Sequence, residues 1–129
     1  MKYLLDTHTI LWYLFGDSRL SENAKQIVES DICFYSYASF WGISIKQSKK
    51  KLEFTHTIFE IDEMCRKAGV RKLPVTLDDF NEVRHLPFQA NVKHNDPFDR
   101  ILVSQAIEND LTIITCDDKI PLYDVKSVW

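Results

Sequence analysis

The sequence predicts a single α/β domain in which a parallel sheet is covered by helices on both faces. Short apolar runs alternate with longer stretches of helical periodicity, an order typical of strands joined by helical crossovers. The runs 3–5 and 111–115 look buried on both faces, as strands of such sheets are. The chain has 129 residues, 45% of them hydrophobic, which suits one packed core and makes a second domain improbable.

Five short segments are predicted as strands. They are rich in apolar residues and are separated by stretches with a different periodicity. In chain order they are 3–5, 32–36, 72–75, 111–115 and 125–129.

Six segments have the apolar spacing of amphipathic helices. In chain order they are 8–15, 22–29, 37–48, 57–68, 78–85 and 97–108. Ser21 is a suitable N-cap for the second helix, and Gly69 is a suitable C-cap for the fourth. The last helix has the clearest start, because Asp96 can cap it and Pro97 sits where a missing N–H is harmless. The segment 86–95 lacks apolar periodicity and is predicted to be an exposed loop.

Composition narrows the possible partners. The net charge is −3 and the isoelectric point about 5.8, so no overall positive field attracts nucleic acid, and any binding of RNA must be local. The apolar run at the start is too short for a signal peptide, and no segment is long enough to span a bilayer. We therefore expect a cytoplasmic protein.

The cysteines argue against a disulfide framework and against a zinc site. They are odd in number and widely spaced, with no Cys-x-x-Cys motif. We expect Cys33, Cys65 and Cys116 to be buried, reduced thiols.

Three acidic residues are predicted to meet at one rim of the sheet. Asp6 and Asp117 each lie just past the carboxyl end of a predicted strand, where open α/β sheets place their sites. Asp99 falls in the first turn of the helix that leads into the second of these strands. Like charges about 4 Å apart repel by ~1 kcal/mol in water and by more at lower dielectric, so such a cluster calls for a cation. Oxygen ligands without a His or Cys set favour Mg²⁺ or Mn²⁺ over zinc.

Each of these acids also has a structural interpretation. Asp6 could cap the following helix, Asp96 and Asp99 have the spacing of a capping box, and Asp117 with Asp118 could form a turn. Independent caps would not need to coincide at one rim, which favours a functional site. Asp96 has the strongest capping case and is therefore a secondary metal-ligand candidate.

Four motifs follow one another along the chain. They are Tyr3-Leu4-Leu5-Asp6-Thr7-His8, Ser39-Phe40-Trp41-Gly42-Ile43-Ser44-Ile45-Lys46, His94-Asn95-Asp96-Pro97-Phe98-Asp99-Arg100 and Ile114-Thr115-Cys116-Asp117. Together they resemble the motifs of PIN-domain ribonucleases, and especially of VapC-type toxins of bacterial toxin–antitoxin pairs. The resemblance implies a three-layer α/β/α fold with a mainly parallel five-stranded sheet. It also implies a Mg²⁺- or Mn²⁺-dependent RNA cleft, and a homodimer that a separate antitoxin neutralises.

The resemblance also assigns site residues. Asp6, Asp99 and Asp117 correspond to acidic metal-site residues of the family, and Thr115 falls where a Ser or Thr often lies beside the site. Arg100 belongs to the same motif as Asp99.

The third helix departs from the family pattern. Relatives that share Trp41 usually carry Glu after it, and this chain has Gly42. Glycine inside a helix costs about 1 kcal/mol relative to alanine, so it has no evident structural merit there. Three explanations are open: the chain has drifted towards weak activity, the variant was selected because an intact toxin harms its host, or Asp96 or an ordered water compensates. We expect weaker metal binding than in a four-acid relative.

The RNA-binding residues are predicted from local charge. The densest basic run, which ends the third helix, is either a solvated helix end or a track for phosphates. It consists of Lys46, Lys49, Lys50 and Lys51, and it could be extended by Lys93, His94 and Arg100. His8 is a further candidate for substrate contact, with packing or capping as the alternative. The tryptophans are interpreted as core or dimer contacts rather than base-stacking platforms. They are Trp12, Trp41 and Trp129.

Two other functions compete with the nuclease. The first is a catalytically impaired PIN domain that binds RNA or the antitoxin without cutting RNA. This hypothesis rests on Gly42. The second is a phosphotransfer module such as a receiver or a haloacid-dehalogenase-like phosphatase. This second function is disfavoured because the acid expected two residues after Asp6 is His8.

Overall fold

A computed structural model describes residues 1–52, 54–87 and 96–129 of the protein. The strands are β1 (Lys2–Leu5), β2 (Ile32–Ser36), β3 (Arg71–Leu73), β4 (Thr112–Ile114) and β5 (Ser127–Val128). The helices are α1 (Thr7–Leu14), α2 (Glu22–Ser30), α3 (Tyr37–Ser48), α4 (Ile58–Lys67), α5 (Leu77–Val83) and α6 (Pro97–Asn109). A short 3₁₀ helix, Ile120–Leu122, which the sequence did not predict, lies between β4 and β5.

The five strands form one sheet in the order β3-β2-β1-β4-β5, with every neighbouring pair parallel. β1 is central, and Leu5 is in register with Tyr35 of β2 and Ile114 of β4. The carboxyl ends of β1 and β4 therefore open side by side at one rim of the sheet. The predicted three-layer α/β/α fold is confirmed.

Alternate residues of the central strands pack into two separate hydrophobic cores, one on each face of the sheet. Leu4 and Ile113 pack on the face covered by α6, and Leu5 and Ile114 pack on the opposite face, against α1 to α4. All four side chains are at most 1% exposed, which explains why these strands read as continuous apolar runs.

Local signals account for most helix boundaries. The Ser21 hydroxyl accepts from the Ala24 amide at 3.0 Å, as a predicted N-cap should. Gly69 directly follows the C-cap residue of α4 and has φ of +82°, a conformation that glycine adopts without steric cost. β3 ends before Pro74, since proline cannot donate to the ladder.

One prediction about the cysteines is wrong. Cys33 and Cys65 are buried free thiols, and burial raises the pKa of each to about 12. Cys116 is free but exposed, because it lies beyond the last paired residue of β4. In the described ranges, no helix has both the length and the apolar content needed to cross a membrane.

Candidate active site

Asp6 lies at the junction of the central strand and the first helix. Its amide donates to the Ile114 carbonyl at 3.1 Å, which extends the pairing of β1 and β4 by one residue. One carboxylate oxygen accepts from the Thr7 amide at 2.7 Å, so Asp6 is also the N-cap of α1. The side chain is only 7% exposed. The structural and functional interpretations of Asp6 are thus compatible.

Thr115 connects two of the predicted site acids. Its hydroxyl donates to the second carboxylate oxygen of Asp6 at 2.7 Å and accepts from the Asp117 amide at 3.0 Å. Asp117 in turn accepts from the Lys119 amide at 2.9 Å, which is the predicted turn. Thr115 therefore fixes Asp6 relative to the start of this turn, and its buried hydroxyl acts as a positioning group.

Asp99 reaches the same rim from α6. Asp96 begins this helix by accepting from the Phe98 amide at 2.8 Å, and Pro97 occupies the first helical position, as predicted. Asp99 follows in the first turn. The helix is held on the sheet by residues that are fully buried, among them Leu102 and Val103.

Burial and mutual repulsion govern the electrostatics of this rim. Burial, and after it the charges of Asp6, Asp96 and Asp117, raise the pKa of Asp99 to about 7, while the charge of Lys46 opposes the rise. Burial also raises the pKa of Asp6, although its hydrogen bonds from Thr115 and Thr7 oppose the rise. The acids are therefore close enough to influence each other's ionisation.

The acids at the rim offer the oxygen donors that a divalent cation prefers, but their side chains are not spaced as metal ligands are. Among the described residues, no three acid, histidine or cysteine side chains lie at the mutual distances that metal ligands require. The donors are carboxylate oxygens, the ligands that Mg²⁺ and Mn²⁺ prefer. The raised pKa values mean that ionising these acids together costs free energy, and a dication would offset that cost.

One face of α3 packs against the start of α6, next to Asp99. Gly42 packs against the Phe98 ring of α6, and a Cβ atom added there would lie 3.5 Å from it. Lys46 follows one turn later on the same face, where its charge lowers the pKa of both Asp99 and His8. His8 is an exposed residue of α1, and it is coupled in turn to Asp6 and Asp117. Lys46 and His8 therefore lie within electrostatic range of the acids.

Arg100 occupies a different environment. It is 6% exposed and donates to the carbonyls of Pro87 and Leu86, each at 3.0 Å, and of Val83 at 3.4 Å. It also donates to the Tyr123 hydroxyl at 3.3 Å. These contacts tie the end of α5 to α6 and do not favour the predicted substrate contact.

Some predictions fall on residues that the structure does not describe. Lys93 and His94, proposed as extensions of the basic run, lie there, as does most of the predicted loop 86–95. Leu86, at the start of that predicted loop, is buried.

The sequence interpretation missed one hydroxyl pair. Thr7 donates to Ser39 at 2.9 Å, which ties the start of α1 to the α3 face beside the site. Ser39 is fully buried. Both residues belong to the motifs quoted above, but their pairing depends on how α1 and α3 pack, which residue types alone do not reveal.

Comparisons with known proteins agree with this architecture. The family profile of the PIN domain matches residues 3–126. Among solved structures, VapBC2 from Rickettsia felis bound to a DNA fragment from its promoter aligns with TM-score 0.68 and 14% identity, over 99% of this chain and 98% of that one. A toxin–antitoxin complex from Klebsiella pneumoniae aligns with TM-score 0.62 and 19% identity, over 98% and 96%. The search of curated proteins gave no significant match.

The family match and the fold point the same way. The profile spans nearly the whole chain, including Asp6, Asp99 and Asp117. PIN domains are generally nucleases that use divalent metal ions. The chain belongs to the PIN domain family.

Proposed function

We propose that this protein is a metal-dependent endoribonuclease of the VapC toxin type, which cleaves RNA and is neutralised by a cognate antitoxin. The observation that carries the proposal is the electrostatic coupling of Asp6, Asp99 and Asp117 at one rim of a PIN fold. The charge of Asp117 raises the pKa of the buried Asp6, and the charges of Asp6 and Asp117 raise that of Asp99, as is expected where a cation belongs.

Each acid has an assigned role. Asp6, Asp99 and Asp117 would hold Mg²⁺ or Mn²⁺, with Asp96 as a secondary ligand. The ion would supply the Lewis acidity that phosphodiester hydrolysis needs at neutral pH. Thr115 keeps the Asp6 carboxylate in place through its 2.7 Å hydrogen bond. Lys46 and His8 would contact the RNA backbone.

Two protein partners are proposed. The antitoxin is inferred because the two similar structures named above contain toxin–antitoxin assemblies. A homodimer is inferred from an exposed aromatic patch on α3 and α4, here called the α3–α4 patch. It comprises Tyr37, Trp41 and Phe59, which are 39%, 62% and 82% exposed.

The nuclease proposal is tested by comparing wild type with Asp99→Asn on single-stranded RNA, with Mg²⁺, with Mn²⁺ and with EDTA. Asp110→Asn is a matched control, because Asp110 is at the other end of α6 and its left-handed backbone (φ 51°) accepts Asn. We expect cleavage by wild type and Asp110→Asn only when metal is present, and none by Asp99→Asn.

A second function is favoured by one observation. Gly42 stands where the resemblance to PIN-domain toxins leads us to expect an acid, which suggests an impaired enzyme that binds RNA or the antitoxin without cutting RNA. No cleavage by either protein would leave only this binding function, whereas equal cleavage by wild type and Asp99→Asn would contradict the role assigned to Asp99.

A further inference from the structure

A groove lies beside the acidic rim, along the exposed face of α1. It has a volume of about 590 Å³. One wall is α1, and the other is the chain that follows α3. The residues that matter most here are His8, Trp12, Phe15, Arg19, Lys51 and Phe54.

The groove begins at the candidate active site. His8 is two residues after Asp6 in the chain, and it interacts electrostatically with Asp6 and Asp117. From His8 the wall follows α1 for two turns to Phe15, roughly 10 Å at 1.5 Å per residue. A ligand in the groove would therefore extend outward from the acids.

Aromatic rings line the groove along its length. The rings of His8 and Trp12 are 5.6 Å apart and 30° from parallel. At the other end, the rings of Phe15 and Phe54 are 5.3 Å apart. Phe15 is 39% exposed, so part of its ring is open to a ligand. Such rings offer stacking surfaces to unpaired bases of any sequence.

The described charges of the groove favour an anionic ligand. Arg19 lies 4.8 Å over the Trp12 ring while its guanidinium pairs with Asp17, so that pair is close to neutral. Lys51, which lines the groove, adds an exposed positive charge. It is adjacent in the chain to Lys50 and Lys49 of the basic run. Among the described residues that line the groove, Lys51 therefore supplies the net positive charge.

We propose that this groove holds the unpaired RNA segment next to the scissile phosphate, with bases against Phe15 and the His8–Trp12 pair and a backbone phosphate near Lys51. Aromatic rings interleaved with cations are the features that bind single strands without reading their sequence. The proposal rests on the proposed function, since it supplies a subsite to that RNA cleft. It also assigns Trp12 a contact with substrate, beyond the packing role that the sequence indicated.

Binding is measured separately from cleavage to test this. The probe is a short fluorescein-labelled oligouridylate, and its affinity is measured by anisotropy in an Asp99→Asn background that does not cut. In this background, Lys51→Ala should make the slope of log affinity against log salt shallower by about 0.7, the value for one lost phosphate contact on a single strand. Phe15→Ala should weaken binding about tenfold, within the range seen for lost base stacking.

Matched controls are available in the same chain. Lys72→Ala removes an exposed lysine of the edge strand β3, which does not line the groove. Phe80→Ala removes a phenylalanine of α5 that is 56% exposed. Both should bind the probe as the parent protein does.

A second measurement avoids any loss of folding in the groove variants. The same probe carrying 4-thiouridine is photo-crosslinked to the parent protein, and we expect crosslinks at Trp12, Phe15 or Phe54. Crosslinks at Trp41 instead, or equal affinity in all variants, would contradict RNA binding in the groove. Neither result would contradict the proposed nuclease function. Groove variants that lose antitoxin but keep the probe would assign the groove to the protein partner and also overturn the proposal. A wild type that neither binds nor cleaves RNA would contradict the proposed function itself.

Discussion

Gly42 is the residue at which this chain departs most clearly from the pattern it resembles. Its position against Phe98 does not require glycine, since a Cβ atom would make an ordinary contact at 3.5 Å. Lys46, one turn further along α3, would face an acid placed there. Glutamate four residues before lysine is the favourable orientation for a helical ion pair. The local structure therefore has room for a Cβ atom at this buried position, and Lys46 is one turn away from an acid carried on it.

We expect Gly42→Glu to tighten Mg²⁺ or Mn²⁺ binding by about tenfold, the equivalent of ~1.4 kcal/mol, because it adds a carboxylate ligand to the rim. Isothermal titration of the metal measures this directly. Gly42→Ala is the matched control, because it gives the helix the same relief from glycine, about 1 kcal/mol, without adding charge. Equal metal affinity in the Glu and Ala variants would mean that position 42 does not belong to the metal site.

The residue scale also shows why some sequence assignments were ambiguous. Asp6 was a helix cap or a metal ligand on sequence grounds, and in the structure one oxygen caps α1 while the other accepts from Thr115. Asp117 forms its predicted turn and still couples to Asp99. At these two positions the alternatives were never exclusive, because a carboxylate has two oxygens with separate partners.

Among the elements, α6 joins the site to the rest of the fold. Adjacent residues on a helix point about 100° apart. Asp99 accordingly faces the rim while Arg100 is buried against the end of α5. Sequence placed both residues in one motif but could not show which side of α6 faces α5. The buried contacts of Arg100 favour a structural role, and its predicted contact with substrate stays a prediction.

Arg100→Lys should lower the free energy of unfolding by about 2–4 kcal/mol, because buried carbonyls at the end of α5 lose their charged donor. Urea denaturation measures the loss. Arg84→Lys, at the exposed C-cap of α5, is the matched control and should change stability little. Unchanged stability in Arg100→Lys with weakened RNA binding would instead support the substrate role.

Across the whole molecule, sequence predicted the order of strands and helices because their two periodicities are distinct and the central strands are apolar on both faces. It also placed Asp6 and Asp117 at one rim, since both follow central strands. It did not predict the hydrogen bond between Thr7 and Ser39 or the exposure of Cys116. These depend on helix packing and on the residue at which β4 stops pairing.

The acids at the rim should make stability depend on pH in an unusual direction. The pKa of Asp99 is about 7 in the folded chain, against about 3.9 for an unfolded aspartate. Between these values the folded state binds more protons than the unfolded state, so the free energy of unfolding falls as pH rises from 4 to 7. Asp6 shifts in the same direction.

We therefore expect the free energy of unfolding of the metal-free protein to fall by up to a few kcal/mol as pH rises from 4 to 7, since one pKa unit corresponds to about 1.4 kcal/mol. Thermal melts in EDTA at a series of pH values measure the loss. Asp99→Asn should flatten the profile, and Mg²⁺ should stabilise wild type more at pH 8 than at pH 5. A melting temperature that rises with pH in the metal-free wild type would contradict the assignment.

The α3–α4 patch is the surface through which we expect two copies of the chain to form a dimer. The α3–α4 patch exposes three aromatic side chains around a groove of about 440 Å³. Burying apolar surface contributes about 25 cal/mol per Å², so pairing two such patches favours a dimer. Phe59 is the most exposed of the three, at 82%, and lies in the first turn of α4. A glutamate there would suit the helix dipole and leave the monomer stable.

Phe59→Glu is therefore expected to weaken dimerisation by at least about tenfold, or ~1.4 kcal/mol, without lowering the melting temperature at concentrations where the protein is monomeric. Sedimentation velocity over a concentration series measures this. Phe80→Glu introduces the same charge on α5, outside the patch, and should leave the dimer intact. If Phe59→Glu dimerises as wild type does, the two copies meet through another surface. If wild type stays monomeric at high concentration, the homodimer proposal fails and the patch is left for a different partner.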